Sequence, residues 1–242
     1  MSETLANTTI GDIVASDFRA AGVFERYGID FCCGGRQSLG EACRAADANP
    51  EAVIRDLEAL PGVVDKEDGM ATWSASSLIE YIESTHHAYV REAIPRIGAF
   101  LEKLVEVHGA RHPELAFTAA AFQRLGAELT QHMRKEERVL FPFIRDLDEH
   151  LKSHLCSTLM SPFGSVENPI RMMEHEHREA GEELATIREL TGGFVTPADG
   201  CTTYRVCMSE LEAFERDLHR HVHLENNVLF PKAVALEEQQ RH

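Results

Sequence analysis

His132-Met-Arg-Lys-Glu136-Glu-Arg-Val139-Leu140-Phe141-Pro142 and His221-Val-His-Leu-Glu225-Asn-Asn-Val228-Leu229-Phe230-Pro231 are two copies of one eleven-residue pattern. Both read H-x-x-x-E-x-x-V-L-F-P, and 221 − 132 = 89 residues separate them. On a helix, His and Glu four apart share one face, one turn above the other. The apolar Val-Leu-Phe that follows turns that face toward a packed interior. An imidazole and a carboxylate aimed into a core are costly unless something pairs with them, and a metal ion is the usual partner. A single copy reads equally well as an i,i+4 pair on a solvated surface. Two copies with the same apolar tail favour the metal.

Working outward, four long helical patterns carry these residues. The first is expected from Ser77, where Glu80 completes a capping box, to about His108, with a kink at Pro95. The second runs from near Pro113 through His132 and Glu136 to Pro142 or a little beyond. A loop-like stretch with Pro162 and Gly164 follows from about Leu151 to Asn168. The third pattern starts at Asn168-Pro169 and ends near Thr191, before Gly192-Gly193. The fourth starts near Thr202 or Thr203 and passes His221 and Glu225. Strand signals are almost absent, so the predicted class is all-α: an antiparallel four-helix bundle over 77–242, built from two similar helical hairpins.

Upstream, residues 1–60 read as a small helical domain. Phe18, Ala21, Phe24 and Tyr27 share a stripe that Gly28 ends. The turn Ile29-Asp-Phe-Cys32-Cys33-Gly34-Gly35 follows, then a capping box at Ser38 and Glu41, and a cap plus first-turn proline at Asn49-Pro50. Residues 61–76, with Pro61-Gly62 and Gly69, read as a linker.

The repeat extends to the first helix of each hairpin, where His87 and His177 lie 90 residues apart. The expected ligands are therefore His87, His132 and Glu136 from one half and His177, His221 and Glu225 from the other. Six ligands exceed the four that zinc normally takes and suit two first-row ions, most plausibly iron, with Glu136 and Glu225 as bridges. Glu128 and Glu176 are candidates to orient the imidazoles from behind. The residues alone leave His86 open as an alternative to His87. Glu83-x-x-His86 and Glu174-x-x-His177 also match the E-x-x-H spacing of carboxylate di-iron bundles, a reading that leaves His132 and His221 without a task. The scattered His108, His112, His150, His154, His219 and His223 are expected to be solvated.

The sequence resembles the iron–sulfur cluster repair di-iron proteins, the Repair of Iron Centers family, in which a hemerythrin-like bundle follows a short double-cysteine domain. The marks are Tyr27-Gly-Ile-Asp-Phe-Cys32-Cys33-Gly34-Gly35, His132-x-x-x-Glu136, Glu176-His177-x-Glu179-Ala-Gly181 and His221-x-x-x-Glu225-Asn226-Asn227. The resemblance implies the same six ligands and favours His87 over His86, because the ligand lies eight residues before the proline, here Pro95. It implies two irons with an oxo or hydroxo bridge, and repair of clusters damaged by nitric oxide or oxidative stress, by iron donation to iron–sulfur client proteins. Members of that family are often homodimers. It also gives Cys32 and Cys33 a redox or delivery role. The alternatives are a nitric oxide reductase, or a sensor of dioxygen or nitric oxide, at the same di-iron site. Oxygen-carrying hemerythrins place a further His one turn from the third-helix ligand, where this chain has Met173 and Gly181.

Composition sets the outer limits. A formal charge of −16 over 242 residues argues against nucleic acid or an anionic membrane as partner. No apolar run approaches the roughly 20 residues of a membrane span, and no leader is evident at the start. The six cysteines lack C-x-x-C spacing, so a reducing, cytoplasmic setting is expected.

Overall fold

The computed structural model describes residues 2–60, 70–153 and 159–240. In chain order the helices are α1 (Ser2–Asn7), α2 (Ile10–Ser16), α3 (Ala20–Arg26), α4 (Leu39–Ala45), α5 (Pro50–Glu58), α6 (Ala75–Tyr81), α7 (Ala88–His108), α8 (Glu114–Lys135), α9 (Phe141–Lys152), α10 (Glu167–Leu190), α11 (Thr202–Leu224) and α12 (Phe230–Gln239). Short π-helical segments, Ile82–His87, Glu136–Leu140 and Glu225–Leu229, join α6 to α7, α8 to α9 and α11 to α12. Among the described residues no strand forms, and an isolated bridge pairs Thr9 with Ser38. The all-α expectation therefore holds.

The chain divides into two compact units. One comprises Met1–Ile79, Ile144–Ser165 and Arg220–His242. Its N-terminal helices are short, and their ends are set by side chains. Ser38 and Glu41 make both hydrogen bonds of a capping box at the start of α4. Asn49 caps α5 by accepting from the backbone N–H groups of Glu51 and Ala52, with Pro50 in the first turn. Each cap satisfies donors that a helix start leaves open. Ile10, Val14, Ala20, Val23, Phe24, Phe31, Leu39 and Val53 are buried. Gly35, the last residue of the double-cysteine turn, is required by close packing. A Cβ there would lie 2.1 Å from Oδ1 of Asn227. Of the linker expected over 61–76, residues 61–69 lie outside the described residues, and Ala75 and Ser76 already belong to α6.

The other unit comprises Glu80–Phe143 and Val166–His219 and is an antiparallel four-helix bundle. Its buried positions recur every three or four residues: Ile170, Met173, His177, Ala180, Leu184 and Ile187 on α10, and Leu115, Thr118, Phe122, Leu125, Leu129 and His132 on α8. That spacing keeps one stripe of each helix facing the interior. Contacts around the rim fix the order of the helices. Ile94 of α7 packs on Gly126 of α8, and Arg124 of α8 pairs with Glu183 of α10. Arg188 of α10 pairs with Glu215, and Arg96 of α7 with Glu210, both on α11. Phe122 and Phe214 meet edge to face across the centre at 5.3 Å.

The first run starts earlier than expected. It begins at Ala75, and Ser74 accepts the N–H of Ser77 at 3.1 Å, so Ser77 lies inside the helix and not at its cap. Pro95 lies inside α7, where the sequence placed it.

Two glycines should respond in opposite ways to a methyl group. At Gly98 in α7 a Cβ would meet nothing within 4 Å, so Gly98→Ala should raise stability by about 0.5–1 kcal/mol through the helix propensity alone. Gly35→Ala must displace Asn227 and should cost about 1–3 kcal/mol. Thermal melts followed by circular dichroism would show opposite shifts; shifts of the same sign would contradict the packing described.

Candidate metal centre

The bundle's interior stripe changes chemistry near one end. On α8 it runs from Leu125 and Leu129 to His132 and then Glu136, and on α10 it includes His177. These are core positions carrying imidazole and carboxylate in place of apolar groups. Glu136 and His87 are fully buried, and His177 and His132 are 2% and 3% exposed. In the other unit, His221 is 1% exposed and Glu225 fully buried.

Each of the three π segments coincides with a candidate donor. The first ends on His87, and the other two begin on Glu136 and Glu225. The backbone N–H of Phe141 reaches back to the carbonyl of Glu136, and that of Phe230 to Glu225, in both cases five residues earlier. The next residue is Pro142 or Pro231, which has no N–H to offer the carbonyl four residues before it. Thus the Pro at the end of the repeated pattern fits the wide turn, a device common at functional sites. The same widening explains why His86 and His87 are both buried. His86 turns to Asp217 of α11 at 2.9 Å, and His87 stacks on Phe141 at 5.7 Å between centroids.

The histidines in the bundle are oriented from behind. Nδ1 of His87 donates to Oε1 of Glu137 at 2.7 Å, and Nδ1 of His132 donates to Oε2 of Glu176 at 2.9 Å. Arg91 also binds Glu137, and Lys135 also binds Glu176. The hydrogen bond from His132, aided by Lys135, holds the Glu176 carboxyl at about 2 against the opposing effect of burial. Burial pushes Glu137 up, but its bonds to His87 and Arg91 outweigh this and leave it lowered. With the Nδ1 protons committed to carboxylates, the Nε2 lone pairs face inward. Nε2 of His132 lies 2.9 Å from Nε2 of His177 and 3.3 Å from Oε1 of Glu136. Nε2 of His87 lies 3.4 Å from Oε2 of Glu136. In the other unit Nε2 of His221 lies 3.0 Å from Oε1 of Glu225.

Two groups of side chains have donor atoms close enough to hold an ion. One is His87, Glu136, His221 and Glu225; the other is His132, Glu136, His177 and Glu225. Within each group the chosen atoms lie within 4.8 Å of one another. Each group contains two imidazoles, and both contain the same two carboxylates. Glu83 and Glu174 belong to neither. The donor set fits a first-row metal: buried, mixed nitrogen and oxygen, with the imidazole tautomers fixed. Of the orienting residues expected from sequence, Glu176 reaches a ligand imidazole across the helix interface, whereas Glu128 is exposed. Sequence reading missed Glu137, whose signal was only its place beside Glu136.

The double-cysteine turn is tied to the Glu225 segment. Asn226 donates to the Cys32 carbonyl at 3.3 Å, and Asn227 donates to the carbonyls of Phe31 and Cys32. Asn227 also contacts Nδ1 of His223 at 3.2 Å. His223 was expected in solvent but is 1% exposed between Phe18 and Phe31, and burial pulls its imidazole down to about 4. His108 is likewise buried, and His154 lies outside the described residues. Within the turn, Oδ1 of Asp30 accepts from the N–H groups of Cys32 and Cys33. Cys32 is buried, and its bond to Cys33 together with burial raises its thiol well above the usual range. Cys33 is half-buried, and the sulfurs are 3.9 Å apart.

Comparison with known proteins agrees with this architecture. Residues 6–61 match the family described as a domain of unknown function, DUF542, and residues 78–233 match the hemerythrin HHE cation binding domain. A probable iron–sulfur cluster repair protein of Haemophilus influenzae is 32% identical over 234 residues, 96% of this chain and 98% of that protein. The iron–sulfur cluster repair protein YtfE of Musicola paradisiaca is 34% identical over 230 residues, 93% of this chain and 96% of its own. ScdA of Staphylococcus haemolyticus, named as an iron–sulfur cluster repair protein, is 31% identical over 223 residues, 92% of this chain and 96% of its own. With a cation-binding bundle, a DUF542 segment and relatives matched along nearly their whole length, the chain belongs to the iron–sulfur cluster repair family of hemerythrin-like proteins.

Proposed function

We propose that this protein holds two iron ions among His87, His132, Glu136, His177, His221 and Glu225, and that it repairs iron–sulfur clusters damaged by nitric oxide or oxidative stress by giving iron to client proteins. The observation that carries this reading is the sharing of Glu136 and Glu225 by two His-containing groups. One carboxylate per pair of sites is what a bridging ligand requires, and two such carboxylates suit a pair of cations. Six donors of mixed nitrogen and oxygen type match iron better than a four-coordinate zinc.

Bound iron would supply a redox-active, exchangeable metal with coordination positions left for small ligands such as nitric oxide or dioxygen. The chain's own residues do the rest. Glu137 and Glu176 fix the imidazole tautomers, and Arg91 and Lys135 keep those carboxylates ionised. Phe141, fully buried, stacks its apolar ring on His87. A cleft of about 320 Å³, lined among others by Glu128, His132, Lys135, Glu176 and Glu179, gives solvent a path to the His132 side. Residence in the cytoplasm fits the absence of disulfides among the described cysteines. Among the described residues, no helix is long and apolar enough to cross a membrane.

Metal analysis of protein purified without added metal is expected to give two irons per chain. Glu136→Ala removes a donor common to both groups and should reduce this below one. Retention of two would rule out the shared-carboxylate arrangement. Function is tested by mixing iron-loaded protein with a purified client whose cluster has been destroyed. Client activity should return in proportion to iron lost from the donor; sustained nitric oxide turnover with no iron loss would favour a reductase instead.

Glu137→Gln keeps the shape beside His87 but removes the charge. Iron affinity, measured by competition with a chelator, should fall about 10–100-fold. An unchanged affinity would mean that Glu137 does not position the ligand.

A further inference from the structure

At the opposite end of the bundle from His87, α7 finishes on a second buried imidazole. His108 is 4% exposed, and its Nε2 lies 3.3 Å from Sγ of Cys201. Its Nδ1 is buried with no hydrogen-bond partner, so the Cys201 sulfur is the polar contact this ring makes. His108 is 21 residues along α7 from His87, roughly 32 Å at 1.5 Å per residue, so the two sites are separate.

Cys201 is exposed and immediately precedes α11, a helix of 23 residues. Its carbonyl accepts the N–H of Arg205, which starts the helical ladder. The backbone N–H groups of Thr203 and Tyr204 are directed at its sulfur. A sulfur in that position faces the positive end of the helix as well as an imidazole N–H, and both favour thiolate over thiol.

The neighbours hold this geometry and leave the sulfur open. Tyr204 packs edge to face on His108 at 5.6 Å between centroids. His112 bridges Glu114 at 2.9 Å and Asp199 at 3.0 Å, and Arg111 also binds Asp199. These bonds pin the segment before α11 to the start of α8. Arg205, exposed one turn into α11, turns back to Thr202 at 3.1 Å. Among the other described cysteines, Cys32, Cys43 and Cys207 are buried and Cys33 is half-buried.

We propose that Cys201 and His108 form a second reactive site, at which the Cys201 thiolate exchanges with a low-molecular-weight disulfide of the glutathione type. In the step, Sγ attacks one sulfur of the small disulfide. A bond from Sγ to that sulfur forms, the original S–S bond breaks, and the second sulfur leaves as a thiolate that takes a proton from water. Cys201 is oxidised and the departing sulfur is reduced, so no further oxidant is needed. The mixed disulfide is removed by the reverse reaction with excess small thiol. The hydrogen bond from His108, with the helix N–H groups, lowers the Cys201 thiol to about 7, so near neutral pH about half of it is reactive.

The test uses the full, reduced chain and oxidised glutathione as probe, read by intact mass and peptide mapping. Cys201 should be modified first, with a rate that rises through a midpoint near pH 7. His108→Gln should move that midpoint upward and slow exchange at pH 7 about tenfold. Cys201→Ser should abolish the fast phase while leaving helical content and bound iron unchanged. If His108→Gln does not fold, the pH profile of the unaltered protein and the Cys201→Ser result decide. The proposal is overturned if the midpoint lies above pH 8, or if another cysteine reacts first and Cys201→Ser leaves the fast phase intact.

Discussion

The buried His and Glu cluster depends on hydrogen bonds made on the outer side of its imidazoles. A buried imidazole gains a defined tautomer when a carboxylate accepts a hydrogen bond from its Nδ1–H. Glu137 and Glu176 do this for His87 and His132, and Arg91 and Lys135 keep both acids charged. The inward Nε2 atoms then converge, and two of them come within 2.9 Å of each other. Two lone pairs at that distance repel unless a cation or a proton lies between them. A proton on one ring, or a cation held between the two, satisfies that contact.

The backbone is adapted to the same cluster. Regular α-helix repeats its inner face every 3.6 residues, and a π turn shifts that register by one residue. The turns at His87, Glu136 and Glu225 make the shift where ligands must face inward, and Pro142 and Pro231 accommodate it by withholding an N–H. Just beyond Glu225, Asn226 and Asn227 bind the carbonyls of the double-cysteine turn, and Gly35 leaves room for the second of them. A change at Cys32 or Cys33 would therefore reach the segment that carries Glu225 through the Asn226 and Asn227 side chains. Cys32 is the protected member of the pair and Cys33 the more accessible one.

Polar side chains enter the bundle's buried stripe toward both ends. At one end they are the imidazoles and carboxylates proposed to hold metal. At the other, His108 closes α7 beside the first residue before α11, where the helix dipole and an exposed sulfur meet. The apolar layers between, from Val90 to Leu104 on α7 and from Leu115 to Leu129 on α8, isolate the two chemistries from each other.

The sequence alone determined the class of fold and pointed to the six candidate donors, because both readings rest on short-range spacing. Helical periodicity, caps at Ser38 and Asn49, and a repeated H-x-x-x-E on an apolar stripe depend on neighbours within a turn or two. Glu176 was legible for the same reason, being next to His177. Only the tertiary structure decided which carboxylate meets which imidazole across a helix interface. It placed Glu137 on His87 and left Glu128 in solvent, since that choice depends on how two helices face each other. It also buried His108 and His223, which looked like surface residues, and His86 beside His87, where one inward-facing ring was in question. Their partners, Cys201, Asn227 and Asp217, are distant in the chain or hidden in a turn of unusual pitch. Spacing along one helix reveals what faces inward, but contacts between helices form only when the chain folds.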